Sequence, residues 1–158
     1  MSLFIAVVIM SILLFISFVV INISAKSNIF ATSGRDSQYA FYAADAGLEC
    51  AIYWDSKYNS FSTSTASSIV CANQSISTNT VIAGTSTLAL VGGGGNTNPS
   101  VFGFVLNTGS NPVSHCAIVT VRKYYSGSNL MTYIKSRGYN TCDTNNPRRL
   151  ERGVEVTY

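Results

Sequence analysis

The residues best suited to chemistry are four cysteines, Cys50, Cys71, Cys116 and Cys142, and a single histidine, His115. No two cysteines have the C-x₂₋₄-C spacing of a structural zinc site, and one histidine cannot complete a ligand set. His115 and Cys116 are adjacent in sequence, whereas a nucleophile and its base must be neighbours in space. An even cysteine count in a Ser/Thr-rich chain points instead to disulfides formed outside the cytoplasm. Of the three pairings that four cysteines allow, Cys50–Cys71 and Cys116–Cys142 each close a loop of modest length. In the chain-entropy model each contributes roughly 3 kcal/mol.

Other motifs carry less. The glycine run at 92–95 lacks the Lys-Ser/Thr that follows in a phosphate loop. The stretch CDTNNP (142–147) offers one carboxylate, Asp143, which suits an Asx-stabilised turn better than a calcium site. Asn73-Gln-Ser75 matches a glycosylation sequon. No catalytic or metal-binding residue and no cofactor is expected, and the chain does not read as an enzyme.

The elements that must hold the cysteines divide sharply. The chain has 158 residues, 47% of them hydrophobic and only 11% charged, where about a quarter is usual. The imbalance is local, since residues 1–25 have no charged side chain and Lys26 is the first. About 20 such residues suffice to cross a bilayer as a helix. The run is too long for a signal-peptide core and has no small-residue cleavage site after it. A basic flank is missing, so either the α-amino group of Met1 supplies the positive charge or a leader has been removed. No proline interrupts residues 1–54, and the helical reading continues to about Trp54. Such a helix is roughly 80 Å long at 1.5 Å per residue. Gly34 is a candidate bend within it. Phe41, Ala44, Leu48 and Ile52 recur at helical spacing as an apolar stripe, with Asp45 and Glu49 beside it.

Beyond Asp55 the pattern changes to a polar loop (56–68) and short β-like runs at 69–72, 85–91, 101–107, 116–125, 131–136 and 150–158. SGSN (126–129) reads as a hairpin turn, and 137–147 as a long turn-rich connection. The expected class is α+β, a long N-terminal helix packed on a small antiparallel sheet. Its parts are an apolar helix (1–25), an amphipathic continuation (26–55) and a globular β domain (56–158).

Charge adds a second theme. Arg122, Lys123, Lys135, Arg137, Arg148, Arg149 and Arg152 crowd the C-terminal lobe, opposed by Asp143, Glu151 and Glu155. Such a basic face attracts DNA or an anionic surface, or is a set of solvated strand faces. In a third reading the helix acids Asp36, Asp45 and Glu49 pair with Arg148, Arg149 and Arg152 of the same or a neighbouring subunit. Exposed pairs are worth about 0–1 kcal/mol each, so their value lies in setting register.

The charge-free helix, the segment AFYAADAGLECAIYW (40–54), and SRGYNT and RRLERGVEVTY near the C-terminus together resemble type IV pilins, in particular PilX-like minor pilins. The resemblance spans the chain and is strongest over 1–55. It implies the pilin fold and a leader removed by prepilin peptidase, with methylation of the new N-terminal amine at Met1. It also implies residence in the inner membrane before export into an extracellular filament by the pilus assembly machinery. There the chain polymerises with itself or with other pilins through Leu3, Phe4, Ile5, Val8, Ile12, Phe15 and Val19. Adhesion, motility or DNA uptake are the functions to expect. The alternatives are a membrane-anchored extracellular binding domain and a secretion-system pseudopilin. One position departs from the family pattern: where most pilins carry a glutamate, this chain has Ile5, and no acid precedes Asp36. That favours a tip or priming subunit.

Overall fold

The computed structural model describes residues 2–62, 67–82, 85–92, 98–106 and 114–158. The class is α+β. Helix α1 runs Ser2–Tyr58, followed by strands β1 (Ser68–Cys71), β2 (Gln74–Ser77), β3 (Ser100–Leu106), β4 (His115–Ser126), β5 (Asn129–Tyr139) and β6 (Glu151–Thr157). Two compact units divide the chain, Met1–Arg35 and Asp36–Tyr158.

In the first unit the helix exposes large apolar side chains on every side, among them Leu3, Ile5, Ile12, Phe15 and Ile23. It is one helix long and apolar enough to cross a membrane. Three of its hydroxyls turn inward on their own helix. Ser11 Oγ donates to the Val8 carbonyl at 2.8 Å, Ser17 Oγ to Leu13 at 2.8 Å, and Thr32 Oγ1 to Asn28 at 3.0 Å. Self-satisfaction of this kind is what a segment surrounded by hydrocarbon requires. The helix passes through Gly34 without a break.

In the second unit the helix lies against a four-stranded antiparallel sheet of order β3-β4-β5-β6, with β1 and β2 forming a separate hairpin. The helix face that meets the sheet is made of small residues. Ala40, Ala43, Ala44 and Ala51 are fully buried, and a Cβ on Gly47 would collide with Ser136 and Val119. A Cβ on Gly138 of β5 would strike the helix backbone at Ala40 and Ala44. Helix and strand therefore approach backbone to backbone. This corrects the expected stripe. Ala44 is buried and Leu48 and Ile52 pack against the core, but Phe41 is 49% exposed. A ring in place of Ala40 or Ala44 would hold the helix too far out for the Gly138 contact.

Phe102 and Phe104 of β3, Val119 and Val121 of β4 and Ile134 of β5 fill the core, with Phe61 stacked on Phe102 at 5.6 Å. The long hairpin β4–β5 pairs Ser126 with Asn129 and turns on Gly127-Ser128. Gly127 has φ +65° and Ser128 does not share the positive value, as a type II′ turn demands. The β1–β2 hairpin turns on Ala72-Asn73, both at positive φ (49° and 61°), which is the type I′ arrangement. It pairs Ile69 with Ile76, both buried.

Three sequence expectations are corrected here. Residues 85–91 form single bridges, Val81–Leu88 and Leu90–Val101, rather than a strand. Ala72 belongs to a turn, and β2 was not anticipated. The last strand-like stretch before the C-terminal loop extends to Tyr139, so the loop lies at 140–150 rather than 137–147. The remaining glycines of the run, 93–95, and residue 107 lie outside the described residues.

Gly138→Ala is expected to destabilise the second unit by about 1–3 kcal/mol, the usual cost of overpacking. Gly34→Ala, which meets open space, should be neutral or stabilise the helix by up to about 1 kcal/mol. Denaturant unfolding of the full chain in detergent, followed by Trp54 fluorescence, distinguishes the two.

Candidate functional site

The end of α1 carries a buried polar centre built on Asp55. The helix stops because Asn59 takes the left-handed conformation, φ 48°, with its N–H donating to the Asp55 carbonyl at 3.0 Å. Asparagine is the non-glycine residue best suited to that cap. Ser60 N–H adds a bond to the Trp54 carbonyl at 3.2 Å. The cap brings the side chains of Asp55 and Asn59, four residues apart, to the same side of the chain.

The sheet supplies the other half. Lys123 on β4 lies opposite Thr132 on β5, and Thr132 exchanges backbone hydrogen bonds with Tyr158 just beyond β6. Three neighbouring strands thus each give one polar side chain at one level. Lys123 Nζ sits 2.7 Å from Asp55 Oδ1, as an ion pair rather than an aligned hydrogen bond, and their side chains are only 8% and 4% exposed. Thr132 Oγ1 donates to Asp55 Oδ2 at 3.2 Å, and the Tyr158 hydroxyl donates to the same oxygen at 2.9 Å. Lys123 Nζ also donates to Asn59 Oδ1 at 3.1 Å. Burial, and then the bond to Asp55, raise the Tyr158 phenol well above its ordinary range.

A second centre closes the other end of the sheet. His115 begins β4 and is buried, stacked on Tyr39 at 4.5 Å, with Nδ1 2.7 Å from the Asn140 carbonyl. The Asn140 side chain clamps the C-terminal loop, donating to the Arg148 carbonyl at 3.0 Å and accepting from Leu150 N–H at 2.7 Å. Disulfide Cys116–Cys142 anchors the same loop, and Cys50–Cys71 ties the helix to β1. Both pairings match the expectation. Asp143 accepts from Asn145 N–H at 2.9 Å, the Asx turn read from CDTNNP.

The proposed charge partners are placed apart. Arg152 reaches the helix through Ser37, Nε donating to Oγ at 2.9 Å, beside Asp36. Arg149 lies over the Tyr139 ring at 3.8 Å. Asp45 is half-buried and Glu49 exposed. Among the described residues the ion pairs are Lys123–Asp55 and Lys135–Glu155, so none joins Asp36, Asp45 or Glu49 to Arg148, Arg149 or Arg152 within the chain. Lys135 and Glu155 face each other across β5 and β6, and the hydrogen bond from Lys135 holds the Glu155 carboxyl below its usual range. Leu3, Phe4, Ile5, Val8, Ile12, Phe15 and Val19 are all exposed. Met1 lies outside the described residues.

Sequence reading missed Asp55 and Asn140. Asp55 looked like the tail of a helix, and its partners arrive from three strands far along the chain. Only the Asp55/Asn59 spacing, an acid four residues before a capping Asn, hinted at a shared role. No family model matches the chain, and no curated protein or solved structure matches it.

Lys123→Met should destabilise by about 1–3 kcal/mol, because it leaves the buried Asp55 Oδ1 without its polar neighbour while Thr132 and Tyr158 still hold Oδ2. Tyr158→Phe should cost about 1.5–3 kcal/mol at neutral pH, the worth of a hydrogen bond to a charged group. The folded phenol keeps its proton to higher pH than the unfolded one. Its stabilisation is therefore complete below about pH 10 and is lost as pH rises beyond that value. The alkaline fall in denaturation midpoint should be shallower in Tyr158→Phe than in the parent chain.

Proposed function

We propose that the chain is a structural subunit of an extracellular filament of the type IV pilus class, held in the inner membrane before assembly and polymerising through its N-terminal helix. One observation carries the reading. The helix from Leu3 to Ile23 exposes its large apolar side chains all round, Leu3 at 78% and Phe15 at 70%. Apolar surface gains about 25 cal/mol per Å² when removed from water. So many exposed side chains need cover, first lipid and then the same helix of other subunits. The disulfide-bonded α+β unit is the part that faces the medium.

Charge supports subunit-to-subunit register. Residues 3–23 give no electrostatic cue, so specificity falls to groups nearer the head. Asp45, Glu49 and the Arg148/Arg149/Arg152 set have no ion-pair partner within the chain among the described residues, which leaves their charges to pair between subunits, although Arg149 also stacks on Tyr139 and Arg152 also bonds Ser37. Met1 is the residue that peptidase processing and methylation would modify. A membrane-anchored extracellular binding domain rests on the same apolar span and differs in remaining a monomer.

Electron microscopy of the purified full chain tests the reading. Helical filaments are expected, whereas monodisperse particles under assembly conditions would overturn it in favour of the anchored domain. Replacing Asp45 and Glu49 together by Gln should leave the unfolding midpoint within about 0.5 kcal/mol of the parent, yet shorten filaments or alter their helical order. Normal filaments from that variant would remove the acids from the register argument.

A further inference from the structure

The geometry points to an intramolecular amide cross-link between Lys123 and Asn59, formed by the chain itself with Asp55 as proton carrier. The three groups an amine–amide exchange needs are already assembled. Lys123 Nζ is the nucleophile, 3.1 Å from Asn59 Oδ1 and thus beside the side-chain carbonyl it would attack. Asp55 Oδ1 lies 2.7 Å from the same nitrogen. That carboxylate is fixed from behind by Thr132 and Tyr158, which leaves Oδ1 to face the lysine.

Position favours the reaction, with Asn59 at the surface and the other two side chains beneath it. The Lys123 side chain is 8% exposed and that of Asp55 is 4% exposed, so both are held in place by the fold. Asn59 is held by its left-handed cap rather than by a mobile loop, so the reactants are oriented before any step occurs. A cleft of about 160 Å³, lined by Asn59, Ser62, Lys123, Tyr125 and Leu130, opens beside the pair and gives the leaving group a route to solvent.

The step balances without an outside reagent. Asp55 takes a proton from the Lys123 ammonium, and the freed Nζ electron pair attacks Asn59 Cγ. The carbonyl electron pair moves to Oδ1 in a tetrahedral intermediate. Asp55 then passes its proton to the Asn59 amide nitrogen and accepts a second proton from Nζ. The carbonyl re-forms, the Cγ–Nδ2 bond breaks, and nitrogen leaves with that second proton as ammonium. One Nζ–Cγ amide forms, Asp55 ends as a carboxylate, and the chain loses one positive charge. The product bolts the end of α1 to the middle of β4. This assignment does not depend on the filament reading.

Intact mass spectrometry of the full chain, unreduced and reduced, tests it. Allowing for the hydrogens of two disulfides, the parent should be lighter than its sequence by one ammonia and should migrate as one positive charge fewer on isoelectric focusing. Protease digestion should yield a branched peptide joining residues 59 and 123. Lys123→Arg and Asn59→Ala should restore the full mass. Asn59→Asp, which keeps the Oδ1 contact and the cap, should cross-link with loss of water instead. Asp55→Asn should retain both reactants and leave them unjoined. An unshifted parent mass would overturn the proposal. So would loss of ammonia without loss of charge or without a branched peptide, which marks a ring closure at Asn59-Ser60. Loss of water from the parent, placing the amide on Asp55, would overturn it equally.

Discussion

Everything in the second unit depends on how closely the helix can approach β5. Gly138 lets the strand backbone come up to the backbone of Ala40 and Ala44, and Gly47 makes room for Ser136 from the opposite side. Small residues give up side-chain area but allow more atoms to meet at van der Waals distance, where each contact is weak and the sum is large. Ser136 is fully buried here and its hydroxyl has no partner, a cost the seam carries in return for that proximity. The larger apolar groups, Phe102, Phe104, Val119 and Ile134, then fill the space on either side.

With the distance set, two polar centres fix the angle. Asp55 collects Lys123, Thr132 and Tyr158 at one end of the seam. At the other, His115 and Asn140 join the start of β4 to the C-terminal loop. A buried ion pair contributes less net stability than its Coulomb attraction suggests. What it supplies is a single alignment, because any slip along the helix strands a charge. The disulfides lie near these two ends, Cys50–Cys71 on the helix and Cys116–Cys142 on the loop.

Much of this was legible in the chain, for reasons that can be named. The apolar run and the absence of proline made α1 evident, and loop length picked out the correct disulfides from three pairings. Alternating β-branched and aromatic residues located β4 and much of β5. Tertiary geometry was not legible. Phe41 carries the stronger hydrophobic signal, yet alanine and glycine won the interface, because the seam is decided by steric fit and not by hydrophobicity. The Ala72-Asn73 turn lacks the usual glycine, so β2 went unseen. Asp55 was invisible because its partners are scattered over Lys123, Thr132 and Tyr158. The function of the head is a different matter, since no local motif encodes a chemistry.

The order β3-β4-β5-β6 leaves β6 as the outermost strand. An unpaired edge is a template for amyloid-like strand addition. Along this edge Glu151, Arg152 and Glu155 are exposed, while its two valines, Val154 and Val156, are half-buried. The alternating charges act as gatekeepers, penalising a second sheet that tries to dock there. At the other margin Val101 of β3 is already engaged by Leu90. The second unit is thereby discouraged from sticking to other molecules through its strands, so its exposed margin stays a surface and does not become a seam.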